Sequence, residues 1–283
     1  MSRLIVQHPH LSDAVVQAVI EATQTAPDQR TATMAVWNSC RLDGPAVSAL
    51  AQASQVDAEI VAPGLRLQDF RLAVFDMDST LITIECVDEI ADFAGRKAEV
   101  AAITEAAMRG EIADYDDSLR RRVGLLAGLG EETLERVWRE RVQLSPGAQT
   151  LITALQQAGL ATLLVSGGFT FFTERLRSRL ALTWARSNLL EVDEGRLTGR
   201  LIGPIVNAGV KRRIVEQVCA LMQITPSQAI VVGDGANDLQ MMSIAGLSVA
   251  YHAKPIVRSE TTHAINHCGL DALLQLFEPP GAR

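Results

Sequence analysis

The sequence predicts an α/β protein whose core is a parallel β-sheet with helices on both faces, and three observations support this prediction. Short apolar runs alternate with helical patterns over residues 149–250, an order typical of parallel sheets. The apolar run Leu72–Phe75 ends directly at Asp76, as a central strand does at the functional edge of such a sheet. Over residues 83–145, apolar residues recur at three- and four-residue spacing without a strand pattern, which predicts a helical insertion.

The segment before Arg71 has its own pattern and predicts a small α+β domain. Its first helix begins with a capping serine followed by an acidic residue, and Pro63-Gly64 mark the end of the domain. The predicted elements alternate between strand and helix in the order Leu4–Gln7, Ser12–Thr23, Thr31–Trp37, Pro45–Ala53 and Ala58–Ala62.

After residue 145 the alternation of helix and strand supplies the remainder of the parallel sheet. The expected elements are Gln149–Gln157, Ala161–Val165, Phe172–Leu180, a hairpin over Leu189–Leu201, Val210–Leu221, Ile230–Val232, Leu239–Ile244 and Ser248–Ala250. The turn residues Asp193-Glu194-Gly195 support the hairpin. We therefore expect three units, which are a small domain at residues 1–66, a core formed by residues 67–82 and 146–283, and a helical cap at residues 83–145.

Composition excludes several classes of protein. The net charge is −7 and no basic run is present, so nucleic acids and anionic membrane surfaces are not expected partners. The four cysteines are far apart and form no CxxC pair, which argues against a zinc knuckle or a disulfide scaffold. The N-terminal residues lack the pattern of a signal peptide and no apolar run is long enough to span a bilayer. We expect a cytoplasmic protein.

Two short motifs directly follow predicted strands. Asp76 and Asp78 are two residues apart on a loop, so that one carboxylate can attack phosphorus while the other handles protons. Taken alone, this pair also fits a solvated turn. Ser166-Gly167-Gly168 offers a hydroxyl and backbone amides that can cradle a phosphate, although an ordinary strand-to-helix turn has the same composition.

Two further signals lie closer to the C-terminus. Lys211 stands at the start of a helix and can neutralise phosphoryl charge, but a lone lysine is more often a solvated surface residue. Asp234 and Asp238 follow the strand Ile230–Val232 in the string GDGAND, and their hard oxygen ligands suit Mg²⁺. The order and placement of all four signals, each at a strand end or helix start, favour a common site.

The set DMDST, SGG, Lys211 and GDGAND resembles the haloacid dehalogenase superfamily of phosphohydrolases. Within it, the longer strings FDMDSTL, LVSGGF and VGDGAND resemble the phosphoserine phosphatase family, and this resemblance covers residues 71–274. It implies a Rossmann-like parallel sheet core, the haloacid dehalogenase fold, with a helical-bundle cap. It also implies hydrolysis of O-phospho-L-serine to L-serine and phosphate through an aspartyl-phosphate, the last step of L-serine biosynthesis, with Mg²⁺ as cofactor.

The resemblance also implies the roles of the charged residues. Asp76 would be the nucleophile and a metal ligand. Asp78 would be the general acid and base, and its backbone carbonyl would touch Mg²⁺. Asp234 would be a further metal ligand, while Asp238 would lie near the metal and orient Lys211, which would relieve the repulsion between carboxylate and phosphate.

The small-molecule substrate would be recognised from both the core and the cap. The resemblance implies that Ser166, Gly167 and Asn237 contact the substrate. Glu85 stands where the family has a glutamate for the substrate amino group, and Arg122, in the segment SLRRRV, stands where it has an arginine for the carboxylate. An arginine fork suits a carboxylate, although a helix-start acid and a solvated arginine run would look alike. Tyr115 occupies a place usually held by Phe.

The N-terminal segment resembles the ACT-like regulatory domain fused to some relatives, with one strand of the βαββαβ pattern missing. Its expected role is dimerisation or packing, so a homodimer through this domain is one expectation. Two alternatives for the whole chain stay open at this point. One is a related small-molecule phosphatase or phosphotransferase, and the other is an amino-acid-sensing regulatory protein.

Overall fold

The computed structural model describes residues 2–108, 111–112 and 114–278. The tail beyond residue 278, where disorder is predicted, lies outside these ranges. The N-terminal elements are β1 (Ser2–Gln7), α1 (Asp13–Thr23), β2 (Gln29–Arg30), β3 (Met34–Cys40), α2 (Gly44–Ser54) and β4 (Asp57–Val61).

The N-terminal strands form an antiparallel sheet in the order β2-β3-β1-β4. The expectation of a missing strand is wrong, because β2 completes the βαββαβ pattern. This strand has only two residues, Gln29 and Arg30, and exists through its pairing with Val36 and Ala35 of β3. Two residues carry no periodicity, and so β2 leaves no signal in the sequence.

The predicted helical cap is present between the first strand of the large sheet and the rest of that sheet. Its helices are α3 (Cys86–Phe93), α4 (Lys97–Met108), α5 (Tyr115–Gly124) and α6 (Glu132–Glu140). The two connections to the core run side by side, since Thr83 N–H donates to Gln143 O at 3.1 Å and Ser145 N–H donates to Leu81 O at 3.0 Å. The entry and exit of the cap are therefore tied together by backbone hydrogen bonds.

The core contains a seven-stranded sheet in the order β11-β10-β9-β5-β6-β7-β8. Its strands are β5 (Leu72–Phe75), β6 (Ala161–Phe169), β7 (Trp184–Asp193), β8 (Arg196–Ile202), β9 (Ala229–Gly233), β10 (Leu247–Tyr251) and β11 (His263–Ile265). Its helices are α7 (Ala148–Gln157), α8 (Thr170–Arg179), α9 (Ala208–Leu221), α10 (Leu239–Met242) and α11 (Pro255–Ser259). All neighbouring strands are parallel except the pair β7 and β8.

The order of the strands brings the sequence motifs to one edge of the sheet. β5 lies between β6 and β9 and is buried along its whole length, as its unbroken apolar sequence predicts. Because parallel strands end at the same edge, the segments after Phe75, within the end of β6 and after Gly233 become neighbours. The parallel-sheet core predicted from the sequence, with its helical cap and small N-terminal α+β domain, is thus confirmed.

The N-terminal domain contacts the core through two carboxylates of β4, Asp57 and Glu59. Asp57 is buried and accepts backbone hydrogen bonds from Asn266 (2.7 Å), His267 (3.1 Å) and Cys268 (2.9 Å). These bonds hold the chain that leaves β11 at the edge of the large sheet.

The exact unit boundaries at residues 66, 82 and 145 stay predictions. Within the described ranges, no helix combines the length and the apolar character needed to cross a bilayer.

Candidate active site

Asp76 is fixed at the end of β5 by its own backbone and by the turn that follows. Its N–H donates to Val232 O at 3.0 Å, and its Oδ1 accepts from Met77 N–H at 2.7 Å. The next residues form a tight turn in which Ser79 has a φ of 54°, a left-handed conformation that is uncommon for a serine. The turn directs the chain away from the sheet and leaves the Asp76 side chain at the sheet edge.

Lys211 joins two of the carboxylates that the sequence motifs place apart. The side chain is completely buried, with Nζ 2.8 Å from Asp76 Oδ1 and 2.7 Å from Asp238 Oδ1. Burial alone would lower the pKa of Lys211, but Asp238 and Asp76 outweigh this effect and the pKa is raised. Lys211 is therefore a permanent cation beneath the site, not the solvated residue that a lone lysine usually is.

Three carboxylates form a cluster that could hold a metal ion. Oxygen atoms of Asp76, Asp234 and Asp238 all lie within 4.8 Å of one another. Burial and the nearby Asp76 raise the pKa of Asp234 to about 7, against the opposing effect of its hydrogen bond from Thr80 (2.9 Å). Crowded, partly desolvated carboxylates of this kind fit a hard divalent cation, which prefers oxygen ligands.

The side chain of Asp78 lies apart from this cluster and in a different environment. Its Oδ1 is buried and has no hydrogen-bond partner among the residues that the structure describes. Burial, together with the charges of Glu85 and Asp76, raises the pKa of Asp78 well above its ordinary value. A raised pKa favours the protonated form of a carboxyl group, which can then donate its proton.

The Ser166-Gly167-Gly168 motif forms a concave end to β6. The predicted strand Ala161–Val165 is too short, because β6 continues through the motif to Phe169, with an irregularity in its pairing to β7 between Val165 and Phe169. Gly168 N–H donates to Ser166 Oγ at 2.8 Å. A Cβ on Gly168 would lie 3.0 Å from Asp78 Oδ2, so the absence of a side chain lets the two motifs approach.

Asn188 supports this motif and was missed by the sequence analysis. Its amide donates to Gly167 O at 2.7 Å, and its Oδ1 accepts from Val206 N–H at 2.8 Å. The side chain is buried. No local pattern marks Asn188, because its partners are supplied by β6 and by the segment before α9. Ser79 and Thr80 were visible in the DMDST string, but their bonds to Glu85 and Asp234 were not.

The cap forms the wall of the site opposite the sheet edge, and it contributes Glu85 and Arg122, the two residues expected to bind an amino acid. A cavity of about 790 Å³ is lined by the motif-bearing edge of the sheet and by cap residues that include Glu85 and Arg122. Glu85 accepts from Ser79 Oγ at 2.7 Å, which connects it to the turn after Asp76. Arg122 Nε is buried without a hydrogen-bond partner among the described residues. A guanidinium group with a buried donor that has no partner is suited to an anionic ligand.

The structure thus brings all the predicted site residues to one cavity or its floor. Those lining the cavity are Asp76, Asp78, Glu85, Arg122, Ser166, Gly167, Asp234 and Asn237. Lys211 and Asp238 lie beneath it and reach it through Asp76. Chemically, the arrangement offers a fixed carboxylate, a buried carboxyl group of raised pKa, a buried cation and a cluster of oxygen ligands.

Comparisons with known proteins agree with this geometry. The phosphoserine phosphatase of Polaromonas sp. (strain JS666) is 58% identical over 223 residues, which are 77% of this chain and 94% of that protein. The structure of a probable phosphoserine phosphatase from Vibrio cholerae has a TM-score of 0.84 at 36% identity and covers 97% of this chain and 85% of its own. A phospho-aspartyl intermediate analogue of phosphoserine phosphatase has a TM-score of 0.69 at 36% identity, covering 74% and 99%.

The family model for haloacid dehalogenase-like hydrolases matches residues 70–246, which contain the four motifs described above. The match includes the helical cap and the sheet edge that carries Asp76. The resemblance expected from the sequence is thereby confirmed, and the chain belongs to the haloacid dehalogenase-like hydrolases.

Proposed function

We propose that this chain hydrolyses O-phospho-L-serine to L-serine and inorganic phosphate through an aspartyl-phosphate on Asp76. The observation that carries the proposal is that a fixed carboxylate at Asp76 and a buried carboxyl group at Asp78, whose pKa is raised well above its ordinary value, line one cavity. Nucleophilic displacement at phosphorus needs a carboxylate, and departure of the serine oxygen needs a proton. The relatives named above support this choice of substrate.

The chemical steps follow from the placement of these two aspartates. The Asp76 carboxylate attacks phosphorus in line with the ester oxygen, and the P–O bond to serine breaks as Asp78 transfers its proton to that oxygen. Asp78, now ionised, takes a proton from water as the water oxygen attacks the phosphorus of the aspartyl-phosphate. The bond to Asp76 breaks and phosphate leaves, which restores both side chains.

Mg²⁺ is the proposed cofactor, held by Asp76 and Asp234 with the Asp78 backbone carbonyl. It would supply positive charge that offsets the repulsion between the carboxylate and the phosphate dianion. Asp238 belongs to the same cluster, but its Oδ1 is committed to Lys211 and its Oδ2 accepts from Gly235 N–H at 3.2 Å. We therefore assign Asp238 the orientation of Lys211.

The remaining residues would bind the two ends of the substrate. Ser166, Gly167 and Asn237 line the cavity, and we propose that Ser166 and Gly167 donate to the phosphoryl oxygens. Glu85 and Arg122 face it from the cap side and would pair with the amino group and the carboxylate of serine. An amino acid that carries both charges would thus be distinguished from a sugar phosphate, which carries neither.

Two further expectations remain proposals. A homodimer through the N-terminal domain is consistent with β2, whose two exposed residues pair with only part of β3 and leave an edge to which a strand could be added. Light scattering during size-exclusion chromatography would measure the mass, and a monomer at all concentrations would exclude the dimer.

A cytoplasmic location is the second proposal, and fractionation of cells would test it.

The proposed function would be tested by measuring phosphate release from phosphoserine, phosphothreonine, phosphoglycolate and sugar phosphates, each with and without Mg²⁺. We expect a strong preference for phosphoserine that depends on Mg²⁺. Asp76→Asn should lower kcat by a factor on the order of 10⁴ or more and abolish acid-stable labelling from ³²P-phosphoserine. Labelling of the Asp76→Asn protein would exclude Asp76 as the nucleophile, and a preference for another ester would exclude phosphoserine as the substrate.

A further inference from the structure

Tyr115 begins helix α5 and belongs to the face of the helix that lines the cavity. Tyr115, Ser118, Leu119 and Arg122 all contribute to the cavity wall. Their spacing of three, four and seven residues places them on one side of a helix. The residue proposed to bind the substrate carboxylate and the tyrosine therefore project in the same direction, two turns apart.

The hydroxyl of Tyr115 lies directly over the proposed phosphate cradle. A Cβ added to Gly167 would overlap the Tyr115 hydroxyl oxygen, whereas the adjacent ring carbon would be 3.5 Å from it. The hydroxyl group, not the ring, is thus what comes close to Gly167. The cap touches the end of β6 at the point where the phosphoryl group would be bound.

The charges around Tyr115 are those of the active site. Burial raises the pKa of Tyr115, and the groups that act on it electrostatically are Lys211, Arg122, Asp76 and Asp78. The phenol therefore keeps its proton throughout the neutral range and is a hydrogen-bond donor. A phosphoryl oxygen that enters the cradle would offer this donor an acceptor.

We propose that Tyr115 is a phosphoryl-binding residue supplied by the cap, whose hydroxyl donates to a non-bridging oxygen beside Ser166 and Gly167. The identity of the ester rests on the proposed function, but the contact itself concerns only the phosphoryl group. Because Tyr115 stands on the same helix as Arg122, one face of α5 would bind both the phosphoryl group and the carboxylate of the substrate.

The test compares Tyr115→Phe with Tyr251→Phe, since the chain has two tyrosines and each variant deletes one hydroxyl. Tyr251 is buried in β10, where its hydroxyl bonds to Ser145. Calorimetry with Mg²⁺ present would measure the dissociation constants of inorganic phosphate, orthovanadate and L-serine for both variants and the unaltered protein. Steady-state kinetics with phosphoserine would add KM and kcat, and thermal melting would verify folding.

Tyr115→Phe should weaken phosphate and vanadate binding by on the order of tenfold, because a hydrogen bond to a charged group is lost. KM for phosphoserine should rise by a similar factor with kcat little changed, as expected for a contact made equally in ground and transition states. Binding of L-serine should change less than twofold, and Tyr251→Phe should leave all three constants unchanged.

Unchanged phosphate affinity in Tyr115→Phe would overturn the inference. Equal weakening of L-serine and phosphate would also overturn it, since the tyrosine would then support packing of the whole cavity. Failure of the proposed function would look different. The unaltered protein would then not turn over phosphoserine, yet phosphate and vanadate would still bind about tenfold more weakly to Tyr115→Phe than to it.

Discussion

Nζ of Lys211 lies 2.8 Å from Oδ1 of Asp76, and the lysine side chain has no exposed surface. The ammonium also contacts Asp238 at 2.7 Å, so one cation serves two buried carboxylates. The Lys211 ammonium group therefore determines both the orientation of Asp76, the proposed nucleophile, and the free-energy cost of burying its carboxylate.

Lys211→Met should therefore reduce stability as well as activity. Removing the cation leaves two buried carboxylates unpaired, at a cost of about 3–5 kcal/mol in the free energy of unfolding. Urea denaturation of the metal-free protein would measure this cost. Arg212→Met is the matched control, since Arg212 pairs with Glu216 on the surface and should cost less than about 1 kcal/mol. A similar loss in both variants would contradict the role of Lys211.

The pKa of Asp234 predicts a pH-dependent affinity for Mg²⁺. Burial and Asp76 raise this pKa to about 7, so the group is mostly protonated below that pH and must lose its proton to bind a metal. As the pH rises towards 7, the dissociation constant for Mg²⁺ should fall by up to about tenfold per pH unit, and it should level off above pH 7. Calorimetric titrations between pH 5.5 and 8 would show the change of slope.

The metal-free protein should show the opposite trend in stability. A raised pKa means that the folded state holds the Asp234 proton more tightly than the unfolded state does. This contribution to stability is present at low pH and is lost as the pH rises from about 4 towards 7. Asp234→Asn removes it, so the difference in unfolding free energy between the two proteins should vary over this range. A constant difference would refute the assigned pKa.

Gly167→Ala tests the position of the Tyr115 hydroxyl independently of its bonding. The new methyl group would overlap that oxygen, so KM for phosphoserine should rise by about tenfold. In the Tyr115→Phe background the obstruction is absent, and adding Gly167→Ala should cost much less. Gly44→Ala, where no atom lies within 4 Å, should leave KM unchanged. Strict additivity of the two substitutions would contradict the close approach.

Arg122 should determine specificity for the substrate carboxylate. Arg122→Gln is expected to raise KM for phosphoserine by about tenfold or more and to have little effect on O-phosphoethanolamine, which lacks a carboxylate. The adjacent Arg121 is exposed and pairs with Asp117 at 2.8 Å, so Arg121→Gln is the matched control. An equal increase of KM for both esters would assign Arg122 a purely structural role.

Asp57 should hold the N-terminal domain against the core. Asp57→Ala leaves the three backbone N–H groups of residues 266–268, one of them buried, without their acceptor and should lower the unfolding free energy by about 3 kcal/mol. Asp13→Ala, at a side chain that is 93% exposed, should change it by less than about 0.5 kcal/mol. Limited proteolysis would show whether the Asp57 variant is cleaved first near residues 62–66. Equal stability of both variants would exclude the anchoring role.

The sequence by itself determined the features that depend on neighbouring residues. The strand Leu72–Phe75 was predicted with the bounds it has, because a central parallel strand is apolar throughout and ends at a functional carboxylate. The helix after Ser12 was predicted because its cap and apolar spacing are local signals. The motifs containing Asp76, Ser166 and Asp234 were recognisable for the same reason.

The tertiary structure alone decided which of these residues meet and in what state. The pairing of β5 with β9 brings Asp76 and Asp238 together around the buried Lys211. These two carboxylates, which lie far from Lys211 in the sequence, keep the lysine charged in spite of its burial. Asn188 and the short strand β2 likewise depend on partners far along the chain. Burial, pairing and electrostatic environment arise between segments distant in sequence, and no local pattern of residues encodes them.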